Sequence, residues 1–95
     1  MKMKIAILGS TGSIGKNTLE IINKNINKFE LELLTTNSNV SNIVSQVKKF
    51  KVRNIIVRDK VSYNIVKKKL KKNKVNIYNE YDSFKKIFLK GKIDY

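Results

Sequence analysis

The chain has 95 residues, 41% of them hydrophobic, which sets the scale at one small domain with enough apolar content to bury a core. It contains no cysteine and no histidine, so disulfides, thiolate metal sites and Ser-His or Cys-His catalysis are excluded. Lys+Arg number 21 against 7 Asp+Glu, a formal charge of +14, and no run approaches the roughly 18 consecutive apolar residues of a membrane span. The opening apolar stretch meets glycines after a few residues, too soon for a secretory signal, so a cytoplasmic setting without a membrane partner is the expectation.

The charge invites a nucleic-acid reading, because lysine and arginine neutralise phosphates. Yet 19 of the 21 cations are lysine, and lysine, asparagine and isoleucine together make 44 of the 95 residues. All three have AT-rich codons, and proline, whose codons are GC-rich, is absent. Base composition alone can therefore supply the excess. The charge is also lopsided, +2 over residues 1–40 and +12 over residues 41–95. The densest stretch, Lys67–Lys74, holds six lysines in eight residues and reads as a solvated helix face and its exit, with a phosphate-binding patch as the alternative.

In chain order, Lys4–Leu8 reads as a short buried strand closed by a glycine-rich turn. Ser13 to about Asn25 follows as a helix with Ile14, Leu19, Ile21 and Ile22 as its apolar stripe. Phe29–Leu34 is a half-alternating second strand. Val40–Phe50 spaces Val40, Ile43, Val44, Val47 and Phe50 as a helix, with Asn39 or Ser41 as its N-cap. Asn54–Val57 is a third strand, Val61–Leu70 a third helix and Val75–Tyr78 a fourth strand. Asp82 could cap a fourth helix, Ser83–Leu89, ahead of Gly91, and Ile93 begins a further strand. Alternating strands and helices imply parallel pairing through right-handed crossovers, hence an α/β fold: a Rossmann-like open parallel sheet with helices on both faces. A sheet that halts as a strand begins leaves an edge uncovered. The expectation is therefore the front part of a longer protein, a domain spanning 1–95 and incomplete at its C-terminal end, with marginal stability alone.

The turn Gly9-Ser10-Thr11-Gly12-Ser13-Ile14-Gly15 carries the functional signal. A helix opens with backbone N–H groups that lack intrahelical partners and with the positive end of its dipole, so phosphate docks there if nothing bulky intervenes. Gly9 would let the chain leave the strand sharply, Gly12 would admit a pyrophosphate, and Gly15 would let the helix pack close on the sheet. Thr11 and Ser13 add hydroxyls, and Ile14 an apolar wall. The spacing is G-x-x-G-x-x-G, with serine at position 10 instead of the second glycine of the commoner dinucleotide pattern. A mononucleotide phosphate loop ending at Gly15-Lys16 would need glycine at 10 and Ser or Thr at 17, where Ser10 and Asn17 stand. Dinucleotide binding is the reading, with a purely structural turn beside it. At the end of the second strand, Leu34-Thr35-Thr36-Asn37-Ser38-Asn39 carries no carboxylate to accept from a ribose 2′-OH, which favours NADP over NAD. Asn37–Asn39 can equally be a polar turn capping the next helix.

At these residues the sequence resembles the N-terminal NADPH-binding region of the 1-deoxy-D-xylulose 5-phosphate reductoisomerases. The resemblance rests on Ile7–Gly15 (ILGSTGSIG), Asn17–Ile22, Phe29 and the Asn39-Val40 step, and is sharp over about the first 40 residues. It implies that Thr11, Gly12, Ser13 and Ile14 bind NADPH, with a second contact set at Asn37, Ser38 and Asn39. Family members often carry Gly-Lys where Asn37-Ser38 stands, and the loss of that lysine weakens the charge contact expected for the 2′-phosphate. The resemblance further implies a divalent cation (Mg or Mn), a sugar-phosphate substrate and a homodimer in the complete family. The metal ligands and substrate site would lie beyond residue 95, so no catalytic or metal residue is assigned here and the chain alone is expected to be inactive. Asp59, Asp82 and Asp94 read as caps or surface charges. Two alternatives stay open: an NADP-dependent semialdehyde dehydrogenase or acyl-phosphate reductase type of domain, and a small basic nucleic-acid-binding protein.

Overall fold

In the computed structural model, which describes residues 3–25 and 27–79, four strands and three helices alternate along the chain. The strands are β1 (Met3–Ile7), β2 (Phe29–Thr36), β3 (Asn54–Val57) and β4 (Asn76–Tyr78), and the helices α1 (Ser13–Lys24), α2 (Val40–Phe50) and α3 (Lys60–Lys69). α2 and β3 match the sequence reading residue for residue, and the others shift by one or two positions at their ends. The expected helix at 83–89 and the strand from Ile93 lie outside the described residues.

The sheet is parallel in the order β1-β2-β3-β4, so every crossover steps the same way. Right-handed crossovers in one direction put their helices on one face. The packing agrees: Leu19 and Ile22 of α1, Ile43, Val44 and Val47 of α2, and Val66 of α3 share a single core with Ile5, Ile7, Leu31, Leu34, Ile55 and Val57. Burying one such side chain is worth about 1.5–3 kcal/mol, so this layer dominates the stability of the fold. Helices on both faces are therefore not what the described residues show. The opposite face holds a smaller cluster, Leu33 and Ile56 with Ala6 and Tyr78.

A bulge in β2 explains its half-alternating pattern. Ile5 pairs with Leu31 but Ala6 pairs with Leu33, leaving Glu32 as the extra residue. The period of two breaks there, so Leu31 and Leu34 join the helix face while Leu33 turns to the other. The displaced Glu32 is buried. Its carboxylate takes the Asn54 side-chain amide at 3.4 Å and lies 3.9 Å from the Arg53 guanidinium, which also bridges to Glu30 at 3.2 Å.

Helix caps follow the sequence where side chains can supply them. The Asn39 carboxamide oxygen accepts from the Asn42 amide at 3.2 Å, and the Asp59 carboxylate from the Ser62 amide at 2.9 Å and hydroxyl at 2.7 Å. Asp59 is thus the cap that its isolation suggested. Lys67, Lys68 and Lys69 are exposed in the last turn of α3, where positive charge suits the dipole, and the Lys67 ammonium stands 5.3 Å from the Tyr63 ring centroid. Among the described residues no helix is long and apolar enough to cross a membrane.

Candidate functional site

Parallel strands end on one side of their sheet, and in open α/β folds ligands dock beyond those carboxyl ends. Here that rim collects the turn after β1, the Asn37–Asn39 loop after β2 and the Arg58–Asp59 step after β3. Sequence segments more than twenty residues apart are therefore neighbours.

The three glycines of the first turn have three different reasons. Gly9 adopts φ +72°, a left-handed conformation that side chains resist, and so turns the chain off β1. Gly15 is buried, and a Cβ on it would sit 2.5 Å from the Gly9 carbonyl oxygen and 2.6 Å from Ser10 Cα. It is the close-packing glycine. Gly12 is exposed, with φ −77° and ψ 171°, and a Cβ there would meet only the Gly9 carbonyl, at 3.4 Å. Nothing in the fold of the described residues demands glycine at 12. Open space on the outer side of the turn is what it preserves.

Gly12 is also the N-cap of α1, and no side chain caps that helix, in contrast to Asn39 on α2 and Asp59 on α3. The turn amides engage one another only behind the cap, Gly12 donating to the Gly9 carbonyl at 3.0 Å and Lys16 to the Gly12 carbonyl at 2.9 Å. Ser13 and Ile14 follow, both exposed, Ile14 at 83%. The opening of α1 is bare, positively polarised and walled by one apolar side chain. That suits an anionic group carried on an apolar or planar body.

The turn is locked to its neighbours by polar contacts that periodicity did not reveal. Gly9 donates to the Thr35 hydroxyl at 2.8 Å and Ser10 to the Thr35 carbonyl at 2.9 Å. The Thr11 and Thr36 hydroxyls lie 2.8 Å apart, which fixes Thr11 against the end of β2. Ser10, fully buried, exchanges hydrogen bonds with Gln46 on α2. The serine in place of a glycine at position 10 is therefore a structural strut. Gln46 escaped the sequence reading because a lone glutamine on an amphipathic helix looks like solvent-facing surface; its place among Ile43, Val44 and Val47 was the available signal.

Of the residues singled out in the sequence, Thr11, Gly12, Ser13 and Ile14 stand together at the α1 opening. Asn37, Ser38 and Asn39 are exposed at the end of β2, which the Thr11–Thr36 contact joins to that opening. The Asn39 side-chain oxygen is occupied in capping α2, so of its two open roles the structural one is filled. The apolar stripe expected of α1 is narrower than its spacing suggested. Leu19 and Ile22 are buried, but Ile14 and Ile21 are exposed at 83% and 61%. Among the described residues no three His, Cys, Asp or Glu side chains come together as metal ligands. A divalent cation therefore has no fit within this part of the chain.

The one-directional parallel sheet and the uncapped glycine turn at its first helix define a domain of the Rossmann-like class. A family model described as 1-deoxy-D-xylulose 5-phosphate reductoisomerase matches residues 5–95, and the chain belongs to that family. The Pelagibacter ubique enzyme of that name is 50% identical over 93 residues, which is 97% of this chain and 24% of the relative. Among solved structures, the Zymomonas mobilis reductoisomerase in complex with NADPH superposes with a TM-score of 0.84 at 28% identity, covering 92% of this chain and 23% of that one. A reductoisomerase in complex with NADPH, fosmidomycin and magnesium gives 0.86 at 26% identity, covering 97% and 23%. The chain spans about a quarter of the length of these relatives. Membership in this family sets aside the semialdehyde dehydrogenase alternative.

Proposed function

We propose that this chain is the NADPH-binding part of a 1-deoxy-D-xylulose 5-phosphate reductoisomerase. The activity served is isomerisation of the ketose phosphate and NADPH-dependent reduction to 2-C-methyl-D-erythritol 4-phosphate, an isoprenoid-precursor step. The observation that carries this reading is the α1 opening: exposed, without a side-chain cap, and built on a glycine that nothing among the described residues requires and that keeps the space open. The cofactor fits there by the chemistry of its groups. The amides of Ser13 and Ile14 would hold a pyrophosphate, the exposed Ile14 side chain would cover an apolar part of the nucleotide, and Thr11 is held in register by Thr36. Asn37 and Ser38 offer an amide and a hydroxyl at the adenosine end without a carboxylate to repel a 2′-phosphate. When bound, NADPH supplies the hydride; these residues bind and orient it and contribute no proton transfer. Metal and substrate chemistry are assigned outside the described residues.

The test is a titration of NADPH and NADH against this chain beside a version extended past Tyr95 to the length of the relatives. NADPH binding by the extended form that is lost on replacing Gly12 supports the reading. Indifference of the extended form to Gly12 overturns it.

A further inference from the structure

The loop after β2 presents a problem of charge. A 2′-phosphate carries close to two negative charges, and hydrogen bonds to charged groups are roughly twice as strong as neutral ones. Yet neither Gly9–Gly15 nor Leu34–Asn39 contains a lysine or arginine. Lys16, the nearest cation in sequence to the first turn, lines the crevice between α1 and α2 with Asn42, Ser45 and Lys49.

The fold brings a cation to this loop from elsewhere. The strand β3 runs beside β2, and the two loops that leave them are stitched together. The Arg58 amide donates to the Thr36 carbonyl at 3.1 Å, the Asp59 amide to the Asn37 carbonyl at 2.8 Å, and the Ser62 hydroxyl to the Ser38 carbonyl at 3.3 Å. Arg58 is exposed at the carboxyl end of β3 and sits level with the Thr36-Asn37 step. Its carbonyl accepts from the Asn79 side chain at 3.0 Å, so its backbone is held from both neighbouring segments.

We infer that Arg58 is the specificity-determining residue for the 2′-phosphate of the nucleotide, supplying from the β3 end the positive charge that the Asn37-Ser38 loop lacks. The inference rests on the nucleotide-binding reading above and adds to it a residue from a third loop. Arginine suits the role: its planar fork can bond two phosphate oxygens at once and it never loses its charge near neutral pH. A second cation, Lys60, follows two residues later as the first residue of α3. It serves as the control for a general electrostatic field, which would act through either side chain.

The experiment titrates NADPH and NADH against the form extended past Tyr95 to the length of the relatives and against its Arg58→Gln, Arg58→Lys and Lys60→Gln variants, with circular dichroism confirming the fold of each. Arg58→Gln is expected to weaken NADPH about tenfold while leaving NADH within about twofold, and Arg58→Lys, which keeps the charge but loses the fork, to fall between Arg58→Gln and the unaltered protein. Lys60→Gln is expected to change either nucleotide by no more than about twofold. An unchanged NADPH preference in Arg58→Gln overturns the inference while the nucleotide-binding reading stands. Equal loss of both nucleotides, or equal effects of Arg58→Gln and Lys60→Gln, also overturns it. Binding of neither nucleotide by any form defeats the underlying reading, and the inference with it.

Discussion

Ser10 and Gln46, 36 positions apart in the chain, close a reciprocal pair: the Ser10 hydroxyl donates to the Gln46 side-chain oxygen at 2.8 Å, and the Gln46 amide donates back to the Ser10 carbonyl at 2.9 Å. Both residues are buried, so each bond is made where water cannot replace it. The pair ties the glycine turn to α2, and through it the α1 opening to the loop after β2.

Removing one partner should therefore cost more than removing both. Gln46→Met, which keeps the volume, leaves the Ser10 hydroxyl and carbonyl without their α2 partner and should destabilise by about 1–3 kcal/mol. Adding Ser10→Ala should return part of that loss, with a coupling of about 0.5–3 kcal/mol in a double-mutant cycle. Urea unfolding of the four proteins measures it. Additive losses would mean that the pair is not a unit.

Gly15→Ala tests the close approach of α1 to the turn. The added Cβ meets the backbone of Gly9 and Ser10 at 2.5 to 2.8 Å, and backbone cannot rotate away as a flexible side chain can. The usual preference for alanine over glycine inside a helix should therefore be reversed. A loss of about 1–3 kcal/mol, the ordinary cost of overpacking, is expected in thermal or urea unfolding. A more stable variant would show that the turn yields.

These two positions mark how far the sequence could be read. Elements with a single strong period were legible almost to the residue: Ile43, Val44 and Val47 placed α2, and the β-branched Ile55, Ile56 and Val57 placed β3. The glycine turn was legible because its three glycines sit where a strand must become a helix. What escaped depends on long-range partners. The β2 bulge at Glu32 exists only in relation to β1, so Leu33 and Leu34 could not be assigned to opposite faces from their own run. Thr35 and Thr36 extend β2 beyond its apolar run, and nothing local shows that Gly9 and Thr11 engage their hydroxyls. The exposure of Ile14 and Ile21 was hidden for the converse reason, since a spacing that suits burial does not say what is there to bury against. The direction of the crossovers, and with it the common face of the three helices, is likewise a property of strand order that no single segment carries.

Asp59 gives the stability of α3 a sign with pH. The Ser62 hydroxyl and amide both donate to the exposed Asp59 carboxylate and hold its pKa below the ordinary carboxylate value, with a minor desolvation opposing them. A carboxylate whose pKa is depressed in the folded state contributes its stabilisation above the unfolded value. It loses that contribution as pH falls through the folded one. Stability should thus be flat in this respect at neutral pH and decline in the acid range below about pH 4. Asp59→Asn keeps a capping oxygen but cannot titrate, so its acid decline should be shallower than that of the wild type. Thermal unfolding of both proteins at neutral and acid pH makes the comparison, and parallel curves would remove Asp59 from the account.

Gly12→Asp separates folding from function at a single atom's distance from the turn. With φ −77° and ψ 171°, position 12 already has the extended geometry of an N-cap, and it lacks only a side chain to use it. Aspartate is among the best capping residues and outranks glycine by a few tenths of a kcal/mol, and its charge favours the helix dipole. The substitution should therefore leave the protein as stable as before or slightly more so. The same carboxylate would occupy the first-turn amides and place a negative charge where a pyrophosphate must sit, so NADPH affinity should fall by tenfold or more, about 1.4 kcal/mol per tenfold step. Gly12→Ser, which caps without charge, should fall between the two. Unfolding curves and NADPH titrations run on the same samples decide the matter: a variant that is capped, stable and still binds NADPH as well as the wild type would show that the α1 opening is not where the nucleotide's phosphates are held.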